Sequence, residues 1–151
     1  MHVVIMGCGR VGASVATRLD REGHDVTILD TDAYAFNRYL PDDYSGDGIE
    51  GSGVDDRILE RAEIRRADVF IALTGGDNRN LLASQKAKEI YGVGHAVARV
   101  KDPLRAEMFN DLGLRTFSPT TFGAKVAYGE IFESSEAAAG LASPAVGPIT
   151  D

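Results

Sequence analysis

The residue pattern best suited to chemistry is a glycine-rich turn near the start of the chain. Residues 7–12 read Gly-Cys-Gly-Arg-Val-Gly, which matches the pattern G-x-G-x-x-G. Gly7 permits a tight turn, Gly9 lets a pyrophosphate approach the backbone, and Gly12 lets a helix pack closely on a strand. The unpaired N–H groups and the dipole of a helix that begins here favour bound phosphate. We therefore predict that this turn holds the phosphates of a nucleotide.

Three side chains extend this prediction. Arg10 can reach a phosphate through its guanidinium group, or it can lie on the helix surface. Cys8 is interpreted as a small filler of the turn, and the alternative is a reactive thiolate near a helix N-terminus. Asp30 follows Gly12 by 18 residues and ends a second apolar run. An acid at this distance can accept hydrogen bonds from ribose hydroxyls and would repel a 2′-phosphate, which favours NAD-like or adenosine ligands over NADP. The alternative is that the glycines only make a turn and Asp30 only ends a strand.

Strand-like and helix-like segments alternate along the chain and would position these residues. Apolar runs predict strands over 3–6, 26–29, 48–51, 69–73, 96–100 and 114–117. Helical spacing and helix-start signals predict helices over 11–22, 33–40, 56–62, 77–90, 103–111 and 120–133, with Pro119 as the start signal of the last. This alternation predicts an α/β fold, a Rossmann-like, doubly wound, mostly parallel six-stranded sheet with helices on both faces.

The composition bounds the domain organisation and the partners. We expect one nucleotide-binding domain over residues 1–133 and a flexible tail rich in Ala, Gly, Ser and Pro over 134–151. The net charge is −7 and the basic residues are scattered, so no nucleic-acid partner is expected. No apolar run approaches 18 residues, so direct membrane insertion is not expected. A single cysteine fits a reducing cytoplasm.

The residues expected of an oxidoreductase are missing from the pattern. None of the five tyrosines has a lysine four positions later, which a short-chain dehydrogenase would need. His2, His24 and His95 are interpreted as surface residues rather than general bases, and no His, Cys and acid cluster has metal-ligand spacing. We therefore expect no catalytic residue, no metal site and no enzyme activity.

Several segments together resemble the RCK/KTN (TrkA-N) domain family, the cytoplasmic regulatory subunits and gating domains of potassium transport systems. The resemblance covers about residues 1–126. It rests on the glycine turn with its arginine and on these further segments: Ile28–Asp32, Gly51–Leu59, Ala67–Asp68, Phe70–Thr74, Asn80–Ala83, Ala98–Val100 and Gly113–Leu114.

The resemblance implies a binding site. Gly7 to Val11 would hold phosphates and Asp30 the ribose, while Thr74 and Gly75 would lie against the nucleotide. Arg99 would lie near the phosphates or at a subunit contact; the alternatives are a loop or capping role for Thr74 and a structural ion pair for Arg99. The expected ligand-binding residues are Gly7, Cys8, Gly9, Arg10, Val11, Gly12, Asp30, Thr31, Ser52, Gly53, Thr74, Gly75 and Arg99. Ser52 stands where many family members have an aspartate near the adenine.

The resemblance also implies a function. The chain is expected to be a nucleotide-binding regulatory subunit of a membrane potassium transporter or channel that senses NAD/NADH or ATP/ADP. It would be cytoplasmic, would reach the inner face of the plasma membrane through its partner, and would form a homodimer that can assemble into a ring. The last helix, residues 120–133, could cross to a partner subunit or pack on its own sheet. Many family members carry a second ligand-binding domain at the C-terminus. Because a second effector site would belong to that domain, none is expected in these residues.

Two other functions remain open from the sequence. One is a small NAD-dependent oxidoreductase or epimerase-like domain, because the fold alone does not establish the chemistry. The other is an interaction module in which a bound nucleotide is purely structural.

Overall fold

The predicted sheet is confirmed and all of its pairings are parallel. The structure, a computed structural model, describes residues 1–131. Six strands pair in the order β3-β2-β1-β4-β5-β6. They are β1 (His2–Met6), β2 (Asp25–Asp30), β3 (Asp47–Glu50), β4 (Val69–Ala72), β5 (His95–Arg99) and β6 (Arg115–Phe117). The strand order reverses between β1 and β4, and sheets of this kind bind ligands beyond the carboxyl ends of the strands at such a point.

Helices connect consecutive strands, as the parallel pairing requires. They are α1 (Arg10–Arg21), α2 (Ala33–Tyr39), α3 (Asp56–Arg61), α4 (Asp77–Glu89) and α5 (Pro103–Asp111). A single turn of 3-10 helix, Ile64–Arg66, was not predicted. It follows Glu63, whose φ of 53° is left-handed, and three residues are too few to show a helical hydrophobic period.

Strand β1 explains why the fold is recognisable from its apolar runs. Val4 and Met6 belong to the hydrophobic cluster on one face of the sheet, while Val3 and Ile5 belong to the cluster on the other face. All four are buried. A strand covered by helices on both faces must be apolar at every position, which is the continuous run seen in the sequence.

The observed element ends differ from the predicted ones by about a residue. The third strand was predicted to include Gly51, but β3 ends at Glu50 because Gly51 adopts a φ of 153° and turns the chain. Leu73 was predicted to belong to β4 and lies just outside it, although its N–H still donates to the Met6 carbonyl at 2.7 Å.

The interpretation of His2 as a surface residue is wrong, since its exposed fraction is 7%. Its Nδ1 lies 2.9 Å from the Asp25 carboxylate and its Nε2 lies 3.0 Å from the Ala62 carbonyl oxygen. His95 is exposed and His24 is half-buried. His2 is buried because β1 lies inside the sheet and the His2 ring packs against Asp25 and Ala62. This tertiary packing has no signature in the local sequence.

The contacts divide the chain into two units. The first, Met1–Ser118, contains the whole sheet. The second begins at Pro119, and its described part is the helix α6 (Pro119–Ile131), which starts on a proline as predicted. The predicted end of this helix at Glu133, the domain boundary after it and the tail 134–151 lie outside the described residues. No helix within residues 1–131 is both long and apolar enough to cross a membrane.

Candidate ligand-binding cleft

A cleft of about 540 Å³ opens at the carboxyl ends of β1, β2, β4 and β5. This volume is in the range of small-molecule and cofactor sites. The cleft is lined by Met6, Gly7, Gly9, Arg10, Val11, Leu29, Asp30, Thr31, Tyr39, Gly51, Ser52, Gly53, Leu73, Thr74, Gly75, Arg79 and Arg99. The fold therefore brings all the predicted ligand-binding residues to one cavity except Cys8 and Gly12. Within residues 1–131 no group of His, Cys, Asp and Glu side chains is placed to hold a metal ion.

Gly12 shapes the turn from behind the cleft. A Cβ atom added to Gly12 would lie 1.8 Å from the carbonyl oxygen of Gly7, so α1 packs directly against the backbone of the turn. Gly7 has a φ of 108°, and a Cβ there would lie 3.0 Å from the Thr74 nitrogen. Gly9 is different, because a Cβ there would meet no atom within 4 Å. The space in front of Gly9 is the cleft itself, which is where the G-x-G-x-x-G pattern would admit a phosphate.

Cys8 points away from the cleft into the core. Its side chain is fully buried, and burial together with the nearby Asp30 charge raises the pKa of the thiol to about 11. At neutral pH the group is therefore a thiol and not a nucleophilic thiolate. The structure favours the interpretation of Cys8 as a small filler of the turn.

Asp30 ties the glycine turn to β2. One carboxylate oxygen accepts the N–H of Cys8 at 2.7 Å, and the other accepts the N–H of Asp32 at 2.9 Å. A carboxylate has about four lone-pair positions, so each oxygen can still accept a hydrogen bond from a ligand hydroxyl. Asp30 thus has a structural role as well as the predicted one, and its removal would loosen the turn and the cleft together.

Helices α1 and α4 place first-turn residues in the cleft and have no side-chain cap. Helix α1 has Gly9 at its N-cap and α4 has Gly76, and neither helix is capped by a side-chain hydrogen bond. By contrast α2, α3 and α5 are each capped by an aspartate, namely Asp32, Asp55 and Asp102. The first-turn amides of a helix have no partner within the helix. At α1 and α4 they are therefore available to an anion in the cleft.

Asn80 fixes the loop that follows β4, and sequence analysis did not identify it as a site residue. Its side chain is completely buried. The amide oxygen accepts the Thr74 N–H at 3.1 Å and the Thr74 hydroxyl at 2.6 Å. The amide nitrogen donates to the carbonyls of Thr74 and Arg99, both at 2.9 Å. Because the Thr74 hydroxyl also accepts the Gly76 N–H at 3.3 Å, it has the loop-capping role that the sequence left open.

Three arginines line the cleft, against the single carboxylate of Asp30. Arg99 donates from Nη1 to the Thr74 carbonyl at 3.0 Å, while its Nε is buried and has no partner. Arg99 makes no ion pair within residues 1–131, which argues against the structural ion-pair interpretation. Arg10 and Arg79 are exposed in the first turns of α1 and α4. The local charge is therefore positive in a chain whose net charge is −7.

The loop after β3 forms the remaining wall. Ser52 faces the cleft and its hydroxyl lies 3.5 Å from the Val54 nitrogen, which leaves it able to bind elsewhere. Gly53 packs against Met6, because a Cβ there would lie 2.4 Å from the Met6 sulfur. Lys86 holds this loop by donating to the Val54 carbonyl at 2.8 Å. Lys86 also contacts Asp56 and, with Tyr91, lowers the pKa of that carboxyl.

Several lining residues were missed by the sequence analysis. Met6, Leu29 and Leu73 lie at or just beyond strand ends, and Arg79 lies in the helix that follows such an end. The rule that ligands bind at the carboxyl ends of strands could have identified all four. Tyr39, at the end of α2, gave no such signal.

Comparison with known proteins identifies one family over most of the chain. The model of the TrkA-N domain matches residues 3–119. The Trk system potassium uptake protein TrkA of Streptomyces coelicolor is 41% identical over 124 residues, which are 82% of this chain and 55% of that protein. A TrkA homolog of Pyrococcus abyssi is 39% identical over 112 residues, 74% of this chain and 49% of that protein. The chain thus spans about half the length of these relatives.

Solved structures share the fold at lower identity. The Kef CTD of Shewanella denitrificans in its AMP-bound form has a TM-score of 0.71 and 22% identity, and the match covers 94% of this chain and 88% of that one. GsuK bound to ADP has a TM-score of 0.69 and 22% identity, with coverages of 85% and 33%. The GsuK channel bound to NAD has a TM-score of 0.68 and 19% identity, with coverages of 85% and 23%.

Proposed function

This chain belongs to the TrkA-N domain family, and from this premise we propose that it is a nucleotide-binding regulatory subunit of a potassium transporter or channel and not an enzyme. One observation carries the proposal. The uncapped N-terminus of α1, its glycine turn and Asp30 meet in a single cleft of about 540 Å³. That arrangement combines an anion site with an acceptor for ribose hydroxyls, which together recognise the phosphate and the sugar of a ribonucleotide.

The proposed ligands are the pairs NAD/NADH or ATP/ADP. Backbone amides of Gly9, Arg10 and Val11 would bind phosphate, with Gly7, Cys8 and Gly12 shaping the turn. Asp30 and Thr31 would bind the ribose, and Ser52 and Gly53 would border the base. Thr74, Gly75 and Arg99 would close the opposite wall. The AMP, ADP and NAD bound by the structural neighbours support an adenine nucleotide without selecting among these ligands.

Regulation would follow from unequal binding of the two members of a pair. If each form prefers a different conformation of the domain, exchange of one for the other shifts the population between conformations. A ligand that binds both conformations equally would shift nothing, whatever its affinity. The difference in affinity is therefore the quantity that defines a sensor.

The proposed partners are a second copy of the chain and a membrane subunit for potassium. Helix α5 supports the first, because Leu104, Met108 and Leu112 recur every four residues and are 54–75% exposed. Apolar side chains at this spacing form one stripe of a helix, which is typical of an interface. We propose a cytoplasmic homodimer that can build a ring and that reaches the inner face of the plasma membrane through its partner. The crossing of α6 to the second copy is part of this proposal, and a dimer unchanged by deletion of α6 would exclude the crossing.

Calorimetric titration of the 151-residue chain with NAD, NADH, ATP and ADP tests the function. We expect one pair to bind with affinities that differ by at least about fivefold, the lower end of typical allosteric coupling. Equal affinities within both pairs would favour a purely structural nucleotide. Oxidation of NADH with small carbonyl substrates, followed by absorbance, would instead favour the oxidoreductase alternative.

A further inference from the structure

We propose that Arg79 is a specificity residue that contacts the phosphate beyond the pyrophosphate, so that the cleft prefers nucleoside triphosphates over diphosphates, monophosphates and NAD. This inference rests on the proposed function, since it names the ligand class of the same cleft. It starts from the position of Arg79 in the first turn of α4, on the side of the cleft formed after β4.

Arg79 is free to bind a ligand. Its side chain is exposed and makes no hydrogen bond or ion pair within residues 1–131. Several other exposed arginines are engaged: Arg18 pairs with Glu22, Arg57 with Asp55, and Arg65 with Glu60. Arg10, Arg61 and Arg115 are also exposed and unpaired within residues 1–131, and of these only Arg10 lines the cleft. With 23 acidic residues against 16 lysines and arginines, an arginine that stays unpaired in a cleft is placed for an anion from outside.

The surroundings of Arg79 reinforce the positive charge. The buried Nε of Arg99 has no partner, and the first-turn amides of α4 have no side-chain cap. A second cavity of about 480 Å³ shares Gly75 and Arg79 with the cleft and is also lined by Lys101 and Arg105. A phosphate chain that leaves the glycine turn can therefore extend past Arg79 into space that remains basic.

One acid faces this region and does not cancel it. Asp77 lines the second cavity, but its two carboxylate oxygens accept the backbone N–H groups of Lys101 at 3.0 Å and Asp102 at 3.2 Å. Those amides stabilise the carboxylate, whose single negative charge stands against the three cations Arg79, Lys101 and Arg105 of the same cavity. Asp77 is not among the residues that line the main cleft.

The same geometry disfavours a dinucleotide. In NAD the pyrophosphate would occupy the glycine turn, and the second ribose with the cationic nicotinamide ring would face Arg79 and Arg99. The positive charge of the nicotinamide ring and those of the two arginines would repel each other. A ribose also offers a guanidinium group no charge-assisted hydrogen bond. A terminal phosphate at that position would instead accept hydrogen bonds from the planar fork of Arg79.

The test compares the Arg79→Gln chain with the wild type in calorimetric titrations with AMP, ADP, ATP and NAD. Loss of a charge-assisted contact lowers affinity about tenfold or more. We expect that loss for ATP, and a change below about twofold for ADP, AMP and NAD. Arg79→Lys should recover part of the affinity because it keeps the charge without the fork. Arg61→Gln, which removes an exposed arginine outside the cleft, is the matched control and should leave every affinity unchanged.

The outcomes separate this inference from the function on which it rests. Wild-type binding with equal effects of Arg79→Gln on ADP and ATP, or with no effect on ATP, would overturn the role of Arg79 and leave the nucleotide site intact. Absence of binding by the wild type would overturn the proposed function and the inference with it. Thermal unfolding of each variant identifies any loss of affinity that comes from misfolding. Because the Arg79 side chain is exposed, Arg79→Gln should leave the melting temperature unchanged.

Discussion

The Gly12→Ala variant is expected to lose about 3 kcal/mol or more of its free energy of unfolding, the range of severe backbone overpacking. The added Cβ would lie 1.8 Å from the Gly7 carbonyl oxygen, which belongs to the backbone and cannot rotate away. Either α1 moves off β1 or the turn opens, and both disrupt the apolar contacts beneath. Urea denaturation followed by circular dichroism measures the change.

Helix propensity alone predicts the opposite sign for this substitution. Alanine in place of glycine within a helix usually stabilises by about 0.5–1 kcal/mol. Gly123 in α6 is the matched control, because a Cβ there would meet no atom within 4 Å. Gly123→Ala should be neutral or stabilising. If Gly12→Ala proved as stable as the wild type, the close packing of α1 on the turn would be wrong.

The second large effect is expected for Asn80→Asp, with a loss of about 3 kcal/mol, as for other uncompensated buried charges. The substitution keeps the shape of the side chain but replaces an NH₂ group by an oxygen. That NH₂ group donates to the carbonyls of Thr74 and Arg99 at 2.9 Å, so the new oxygen would face two acceptors in a fully buried position. The loop after β4 should loosen, and nucleotide affinity should fall with it.

Asn78→Asp is the control for this effect. Asn78 lies two residues earlier on the same helix, is exposed, and accepts a hydrogen bond from Arg105 through its amide oxygen. An aspartate there keeps the acceptor, so stability should change by less than about 0.5 kcal/mol. Urea denaturation at pH 7 measures the free energy of unfolding of both variants. A loss below about 1 kcal/mol for Asn80→Asp would mean that the buried amide does not hold the loop as described.

Much of the fold could be predicted because its physical causes are local. The apolar run of β1 and the turn from Gly7 to Gly12 are contiguous in the chain, and the end of β2 at Asp30 falls at the expected spacing. Parallel strands must then place those residues at one edge of the sheet. Membership of the TrkA-N family agrees with that prediction.

The remaining details depend on tertiary contacts that no local pattern encodes. The carboxylate of Asp30 is drawn to the Cys8 amide only once β1 and β2 are paired. In the sequence Asn80 is only one residue of a segment that resembles the family. Its role depends on the packing of α4 beside the loop, which brings the Asn80 amide to the carbonyls of Thr74 and Arg99. Arg79 follows the end of β4, where the rule on strand ends expects ligand contacts, but only the fold shows that its side chain lies unpaired in the cleft.

The most direct test of the central claim is calorimetric nucleotide binding by the wild type and by Gly9→Ala. Asp30→Ala is less decisive because Asp30 also holds the turn. The Gly9 Cβ would clash with nothing in the protein, and its φ of −90° is open to alanine, so the variant should fold normally. The proposed site predicts that the wild type binds an adenine nucleotide and that Gly9→Ala, with an unchanged melting temperature, binds it about tenfold more weakly or worse because the methyl group occupies phosphate space. Equal binding by the two proteins, or no binding by the wild type, would contradict a nucleotide site in this cleft.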